Sequence, residues 1–178
     1  MPPSPSPSIS TPEIVRFSEL AEDWWNPAGA FRPLHQLNPV RLEYIRDRAC
    51  AHFGREVKPR GVLKGLKILD VGCGGGLITE PLARMGAETT GVDASDAAIH
   101  EARRHARVMG LGITYHTSSI EDLARKSTRY DMITALEIAE HVADLDSFTK
   151  ALATLLKPSG LLIMSTLNRT AKSFALGI

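Results

Sequence analysis

Residues 70–76 read DVGCGGG, a run with four glycines that follows directly on the apolar pair Ile68-Leu69. Glycine gives up more backbone freedom on ordering than any other residue. A cluster this dense therefore marks a tight turn or a close approach of the backbone to a ligand. Residues 67–71 read as a β-strand, and residues 77–85 as a helix closed by Gly86 at the C′ position. A strand, a glycine turn and a helix in that order aim the free N–H groups of the helix's first turn at whatever the loop holds.

The alternation continues along the chain. Residues 88–92 form a second strand, and Ser95 caps a helix running to about Met109, which Gly110 ends. Residues 113–116 form a third strand, after which Ser118 or Ser119 caps a short helix containing Leu123 and Ala124. Residues 130–136 form a fourth strand, and Asp144 caps a helix through about Leu156. Lys157-Pro158-Ser159-Gly160 is a turn, and residues 161–166 form a fifth strand. Strands alternating with helices at this spacing predict an α/β fold with a doubly wound, mostly parallel sheet. Ligands of such sheets bind outside the carboxyl ends of the strands, near the point where the strand order reverses. Three notable stretches fall at those ends: residues 70–76, Asp93, and residues 136–141.

Ahead of the sheet, Thr11-Pro12-Glu13 reads as a helix start. Ile14, Phe17, Leu20, Ala21 and Trp24 then recur at helical spacing until Asn26-Pro27 and Gly29 break the pattern. Asn38-Pro39 opens a second helix in the same way, with Val40, Leu42, Ile45 and Ala49 on its apolar side. Residues 54–66 read as a linker. The first eleven residues, rich in proline and serine and without a basic residue, read as a disordered tail rather than a targeting signal.

Composition narrows the class. The 178 residues are 43% hydrophobic and 23% charged, as in a soluble globular domain. A net charge of +1 argues against a nucleic-acid partner. Two cysteines, Cys50 and Cys73, give no disulfide framework and no metal knuckle, which makes a reducing compartment the default. No apolar run approaches the ~18 residues of a membrane span.

Asp93 follows Gly72 by 21 residues, at the end of the second strand. A carboxylate there is placed to accept hydrogen bonds from ribose hydroxyls. Dinucleotides and S-adenosylmethionine both carry a ribose, so Asp93 alone does not choose between them. The loop does help. The dinucleotide pattern G-x-G-x-x-G needs a third glycine where this chain has Leu77, which disfavours a nicotinamide oxidoreductase.

VGCGGG with Asp93 downstream resembles the first two motifs of class I S-adenosylmethionine-dependent methyltransferases. The stretches WWNPAGAFRPLHQLNPVRLEYI, KILDVGCGGGLITEPLARMGA, EIAEHV and STLNRTAKSFALGI together resemble the ubiquinone-biosynthesis O-methyltransferases. The resemblance covers about residues 13–178 and implies a Rossmann-like methyltransferase domain over 67–178, preceded by a helical segment and linker over 12–66. It implies S-adenosylmethionine as methyl donor and a polyprenylated catechol as acceptor. Carried over residue by residue, it implies that Arg41 contacts the methionine carboxylate, Gly72 the cofactor at the loop, Asp93 the ribose, and that Leu136 packs on the cofactor. It further implies a peripheral membrane encounter and a complex of ubiquinone-biosynthesis enzymes. The location implied is the cytoplasmic side of a bacterial inner membrane, or the matrix side of the mitochondrial inner membrane in a eukaryote.

Glu137, Glu140 and His141 stand at i, i+3 and i+4 and would share one face of a helical turn. Two carboxylates and an imidazole suit Mg²⁺, the metal associated with this motif in the family. His141 could instead be a general base toward a phenolic proton, and the sequence leaves the two roles open. Among the remaining features, His35 is a candidate for the entrance to the site. Trp24 and Trp25 suit a lid or a membrane-facing edge, with core packing expected of at least one. The chain stops at Ile178, whereas the family continues with two more strands, so the sheet is expected to be truncated after the fifth. That leaves an inactive cofactor-binding module as the alternative to an active enzyme. Ser159 replaces the second glycine of the family's K-P-G-G turn, a small backbone cost if that position needs positive φ.

Overall fold

The structure, a computed structural model, describes residues 11–57, 60–126 and 128–166. The expected tail and the expected helix after the fifth strand lie outside those residues, apart from Thr11.

The strands β1 (Lys67–Val71), β2 (Glu88–Asp93), β3 (Thr114–Thr117), β4 (Tyr130–Leu136) and β5 (Leu156–Ser165) form one sheet in the order β3-β2-β1-β4-β5. Every neighbouring pair is parallel. The helices are α1 (Thr11–Glu19), α2 (Arg32–His52), α3 (Thr79–Arg84), α4 (Asp96–Val108), α5 (Ile120–Ala124) and α6 (Leu145–Leu155), with 3₁₀ turns at Ala21–Asp23 and Ala139–His141. The doubly wound α/β expectation therefore holds. The chain winds outward from β1 through β2 to β3, then crosses back to β4, so the strand order reverses between β1 and β4.

Both faces of the sheet are covered, and residues alternate between them. Leu69, Val71, Ile133 and Ala135 pack against α5 and α6 through Leu123, Phe148, Leu152 and Leu155. Ile68, Met132 and Ile163 face the other way, onto Ile45 and Ala49 of α2 and Leu82 of α3. Each fully buried Leu, Ile or Phe contributes about 1.5–3 kcal/mol of transfer free energy. Sequence caps take their expected places: Ser95 Oγ accepts from Ala98 N, Ser119 Oγ from Asp122 N, and Asp144 Oδ1 from Ser147 N. Of the two serines offered for the α5 cap, Ser119 is the one used.

Four local expectations change. The second N-terminal helix starts at Arg32 rather than at Asn38-Pro39; Pro33 occupies its first turn, and Pro39 lies inside it. On that helix Val40 is 65% exposed, while Ile45 and Ala49 are buried. The stretch read as a linker buries Val62, Leu63 and Leu66 in the same core as α2. Finally, β5 begins at Leu156, so the Lys157–Gly160 turn lies within the strand as an irregularity in its pairing with β4. Ser159 there takes φ 64°, and its carbonyl oxygen lies 2.8 Å from His52 Nε2.

Candidate active site

A cavity of about 740 Å³ opens at the carboxyl ends of β1, β2 and β4. That is within the ~300–1,000 Å³ of small-molecule sites. Its floor is the glycine turn and the ends of the strands. Its roof comes from α1, the residues flanking the Ala21–Asp23 turn and the first half of α2, through Ile14, Leu20, Trp24, Phe31, Leu34 and Leu37.

The glycine turn is held from below. Asp70 is 3% exposed; Thr79 donates to its Oδ2 at 2.6 Å and Thr134 to its Oδ1 at 2.7 Å. One carboxylate thereby ties β1, the start of α3 and β4 together. Burial raises its pKa to about 6, partly offset by the two threonine hydroxyls. Gly72 adopts φ 69°, which favours glycine, and a Cβ there would come 2.7 Å from Ile138 Cδ1 and displace that side chain.

Asp93 holds the turn from the side. Its Oδ2 accepts from Gly74 N at 2.9 Å and its Oδ1 from Ser95 N at 2.8 Å. Burial pushes this carboxyl up, and the backbone N–H groups of Ser95, Gly74 and Ala94 pull it back. A carboxylate has about four lone-pair sites, so Asp93 keeps acceptor capacity toward the cavity. Cys73, also in the turn, is buried, and that burial pushes its thiol well above its ordinary value. It packs rather than reacts.

Two tryptophans clasp the turn from above. Trp24 stacks on Phe31 with ring centroids 3.7 Å apart and lies directly over Gly74 and Gly75. Trp25 donates from Nε1 to the Gly75 carbonyl at 3.0 Å and stacks on His105 at 3.5 Å. His105 Nδ1 in turn lies 2.7 Å from Oε1 of the buried Glu80. His35 serves the same clasp, with Nε2 2.9 Å from the Trp24 carbonyl.

The carried-over residues Arg41, Gly72, Asp93 and Leu136 all line this cavity, as do Glu137, Glu140 and His141. Arg41 Nη2 is 2.8 Å from Glu137 Oε1, and Ser165 Oγ donates to the same oxygen at 2.8 Å. Thr166 Oγ1 donates to Glu140 Oε2 at 2.8 Å. The three expected Mg²⁺ ligands thus share the cavity wall. Among the described residues no three His, Cys, Asp or Glu side chains come together as a metal site. Glu137 has φ 51° and precedes the 3₁₀ turn, so residues 137–141 do not form the single helical turn expected. Its carboxylate turns to Arg41 instead.

Two polar atoms of the lining are buried without a hydrogen-bond partner: Trp24 Nε1, a donor, and Asn38 Oδ1, an acceptor. Unpaired buried polar atoms are rare in native structures and call for a cause. A polar ligand in the cavity would supply one.

Comparison with known proteins fixes the lineage. A methyltransferase domain family matches residues 69–164. The ubiquinone biosynthesis O-methyltransferase of Chelativorans sp. (strain BNC1) is 49% identical over 178 residues, covering 100% of this chain and 70% of that protein. Its counterpart from Sinorhizobium fredii is 48% identical over 171 residues, covering 96% and 69%. This chain belongs to the ubiquinone biosynthesis O-methyltransferases. It is an S-adenosylmethionine-dependent methyltransferase. The fold agrees with magnesium protoporphyrin IX methyltransferase from Synechocystis PCC 6803, solved with bound S-adenosylhomocysteine (TM-score 0.68, 23% identity, 92% of this chain and 72% of that one). It agrees too with a methyltransferase from Clostridium acetobutylicum (TM-score 0.64, 22% identity, 91% and 61%).

Sequence reasoning missed three features of this methyltransferase's site. Asp70 is not singled out by the sequence, because Thr134, one of its two partners, is 64 positions away. The Glu80–His105 pair left no signal, because the two residues are 25 apart. Asn38 was read as a helix cap and so was not considered as a binding residue.

Proposed function

We propose that this methyltransferase transfers a methyl group from S-adenosylmethionine to a catechol hydroxyl of a polyprenylated ubiquinone precursor. The observation that carries the reading is that Arg41, Gly72, Asp93 and Leu136 line one cavity at the reversal point of the sheet. The residues present fit the cofactor: a carboxylate with spare acceptor capacity, a guanidinium, a backbone-only approach at Gly72 and two unpaired buried polar atoms. S-adenosylmethionine, when bound, supplies a methyl group on an electrophilic sulfonium.

The chain's own residues do the rest. Asp93 accepts from the ribose hydroxyls. Arg41 has five donors, enough to hold a ligand carboxylate while keeping Glu137. Leu136 packs against the cofactor. The apolar roof of Leu20, Trp24, Phe31, Leu34 and Leu37 excludes water and fixes the approach of the acceptor, where alignment supplies much of the barrier reduction. His141, in the cavity wall, takes the phenolic proton. A second recess of about 260 Å³, lined by Val40, Tyr44, Ile45, Ile163 and Met164 among others, shares Arg41 and Leu136 with the main cavity and supports an acceptor with an apolar tail.

Such an acceptor resides in lipid. The enzyme therefore works, on this reading, at the membrane surface, on the cytoplasmic side of a bacterial inner membrane or the matrix side of the mitochondrial one, alongside other ubiquinone-biosynthesis enzymes. No described helix is long and apolar enough to cross a membrane.

The test is transfer of labelled methyl from S-adenosylmethionine to a short-prenyl catechol presented in detergent or vesicles. The expected result is a mono-methylated catechol ether. His141→Gln should lower kcat by about 10²-fold or more while S-adenosylhomocysteine binding is kept. A folded chain that binds S-adenosylhomocysteine but methylates no catechol would overturn the acceptor assignment.

A further inference from the structure

Asn38 lies in the interior of α2, six residues beyond its start at Arg32. It caps nothing, and it is 7% exposed with Oδ1 unpaired. Burying an amide oxygen without a partner costs on the order of 1–3 kcal/mol, so a position that keeps one is informative. The side chain lines the large cavity, three positions before Arg41, which lines it too. Residues at i and i+3 lie on one helix face with Cβ atoms about 5–6 Å apart. α2 therefore offers the cavity a hydrogen-bond acceptor and a cation side by side. An α-amino acid presents the complementary pair, an ammonium and a carboxylate on one carbon. Glu137, Glu140 and Asp70 line the same cavity, so a ligand cation meets carboxylates as well as Arg41, whose own charge Glu137 balances at 2.8 Å.

We propose that Asn38 is a cofactor-binding residue: its Oδ1 accepts a hydrogen bond from the α-ammonium at the amino-acid end of S-adenosylmethionine, while Arg41 takes the α-carboxylate. This rests on the cofactor reading given above and adds to it the second half of an amino-acid clamp. The two clamp residues come from the helical segment ahead of the sheet, so cofactor binding would draw that segment onto the cavity.

The test is calorimetric titration of the 178-residue chain, Asn38→Leu and Asn38→Asp. The ligands are S-adenosylhomocysteine and its deamino analogue, in which hydrogen replaces the α-ammonium. Asn38→Leu should weaken S-adenosylhomocysteine by about tenfold or more, the scale of one hydrogen bond to a charged group, and leave the deamino analogue unchanged. Asn38→Asp, an acceptor only, should keep or raise the preference for S-adenosylhomocysteine over the analogue. If Asn38→Leu weakens both ligands alike, or neither, the assignment is overturned while the cofactor site stands. If Asn38→Leu does not fold, Asn38→Asp decides, and a lost preference for the ammonium overturns the assignment. If the parent binds neither ligand, the cofactor reading falls and this proposal with it.

Discussion

At the residue scale, the site rests on carboxylates that are taken out of water and then given specific partners. Asp70 is the clearest case. Burial raises its pKa from 3.8 to about 6, with the Thr79 and Thr134 hydroxyls limiting the rise. A native pKa above the unfolded one means that the folded chain holds the proton more tightly. The contribution of Asp70 to stability is therefore full below pH 3.8, falls as pH rises from 3.8 to about 6, and is level above. Asp70→Asn removes this titration while keeping an acceptor and a side chain of the same size. The difference in unfolding free energy between parent and variant, measured in urea across that window, should change in the variant's favour as pH rises. A difference independent of pH would show that Asp70 is not perturbed. Asp93 is only half-buried; burial still pushes its carboxyl up, and the backbone N–H groups on both of its oxygens limit that rise.

At the scale of elements, Ser95 joins three of them. Its Oγ caps α4 by accepting from Ala98 N and lies 2.7 Å from Ser18 Oγ of α1, while its N–H donates to Asp93 at the end of β2. Ser95→Ala should cost about 1 kcal/mol for the cap and also speed amide exchange in α1. Ser119→Ala removes a comparable cap with no tie to α1 and should leave that exchange unchanged. Equal exchange in the two variants would show that Ser95 does not anchor the roof. The elements also show what the sequence could tell. The limits of β1 and β4 were legible because both are near-continuous apolar runs in the middle of the sheet. The start of β5 was not, because Pro158 and Gly160 read as a turn. β5 is the outermost strand of the described sheet, where a missing N–H is tolerated. The start of α2 was misplaced for a similar reason. Asn38-Pro39 has the chemistry of a helix start, yet Pro33 provides that start, and the helix accepts the lost backbone bond at Pro39 because its later turns are buried on the sheet.

At the scale of the whole molecule, function follows from where the sheet reverses. The reversal between β1 and β4 leaves a crevice, the glycine turn keeps its floor free of side chains, and the helical segment ahead of β1 closes it from above. The sequence indicated the floor well, since Gly72 and Asp93 sit on a local pattern of strand ends. It indicated the roof poorly. The packing of Trp24 on Gly74 and Gly75, of Trp25 on His105, and of Arg41 against Glu137 joins residues 50 to 96 positions apart, and no local spacing encodes them. The expected helical turn over residues 137–141 differs for the converse reason: Glu137 has left-handed φ, and the 3₁₀ turn spans only Ala139–His141. The most direct measurement is a calorimetric titration of the 178-residue chain with S-adenosylhomocysteine, beside Asp93→Ala. Saturable one-to-one binding in the parent, weakened about tenfold or more in the folded variant, is the predicted result. No binding by a folded parent, or equal binding by both, would contradict the assignment of this cavity as the cofactor site.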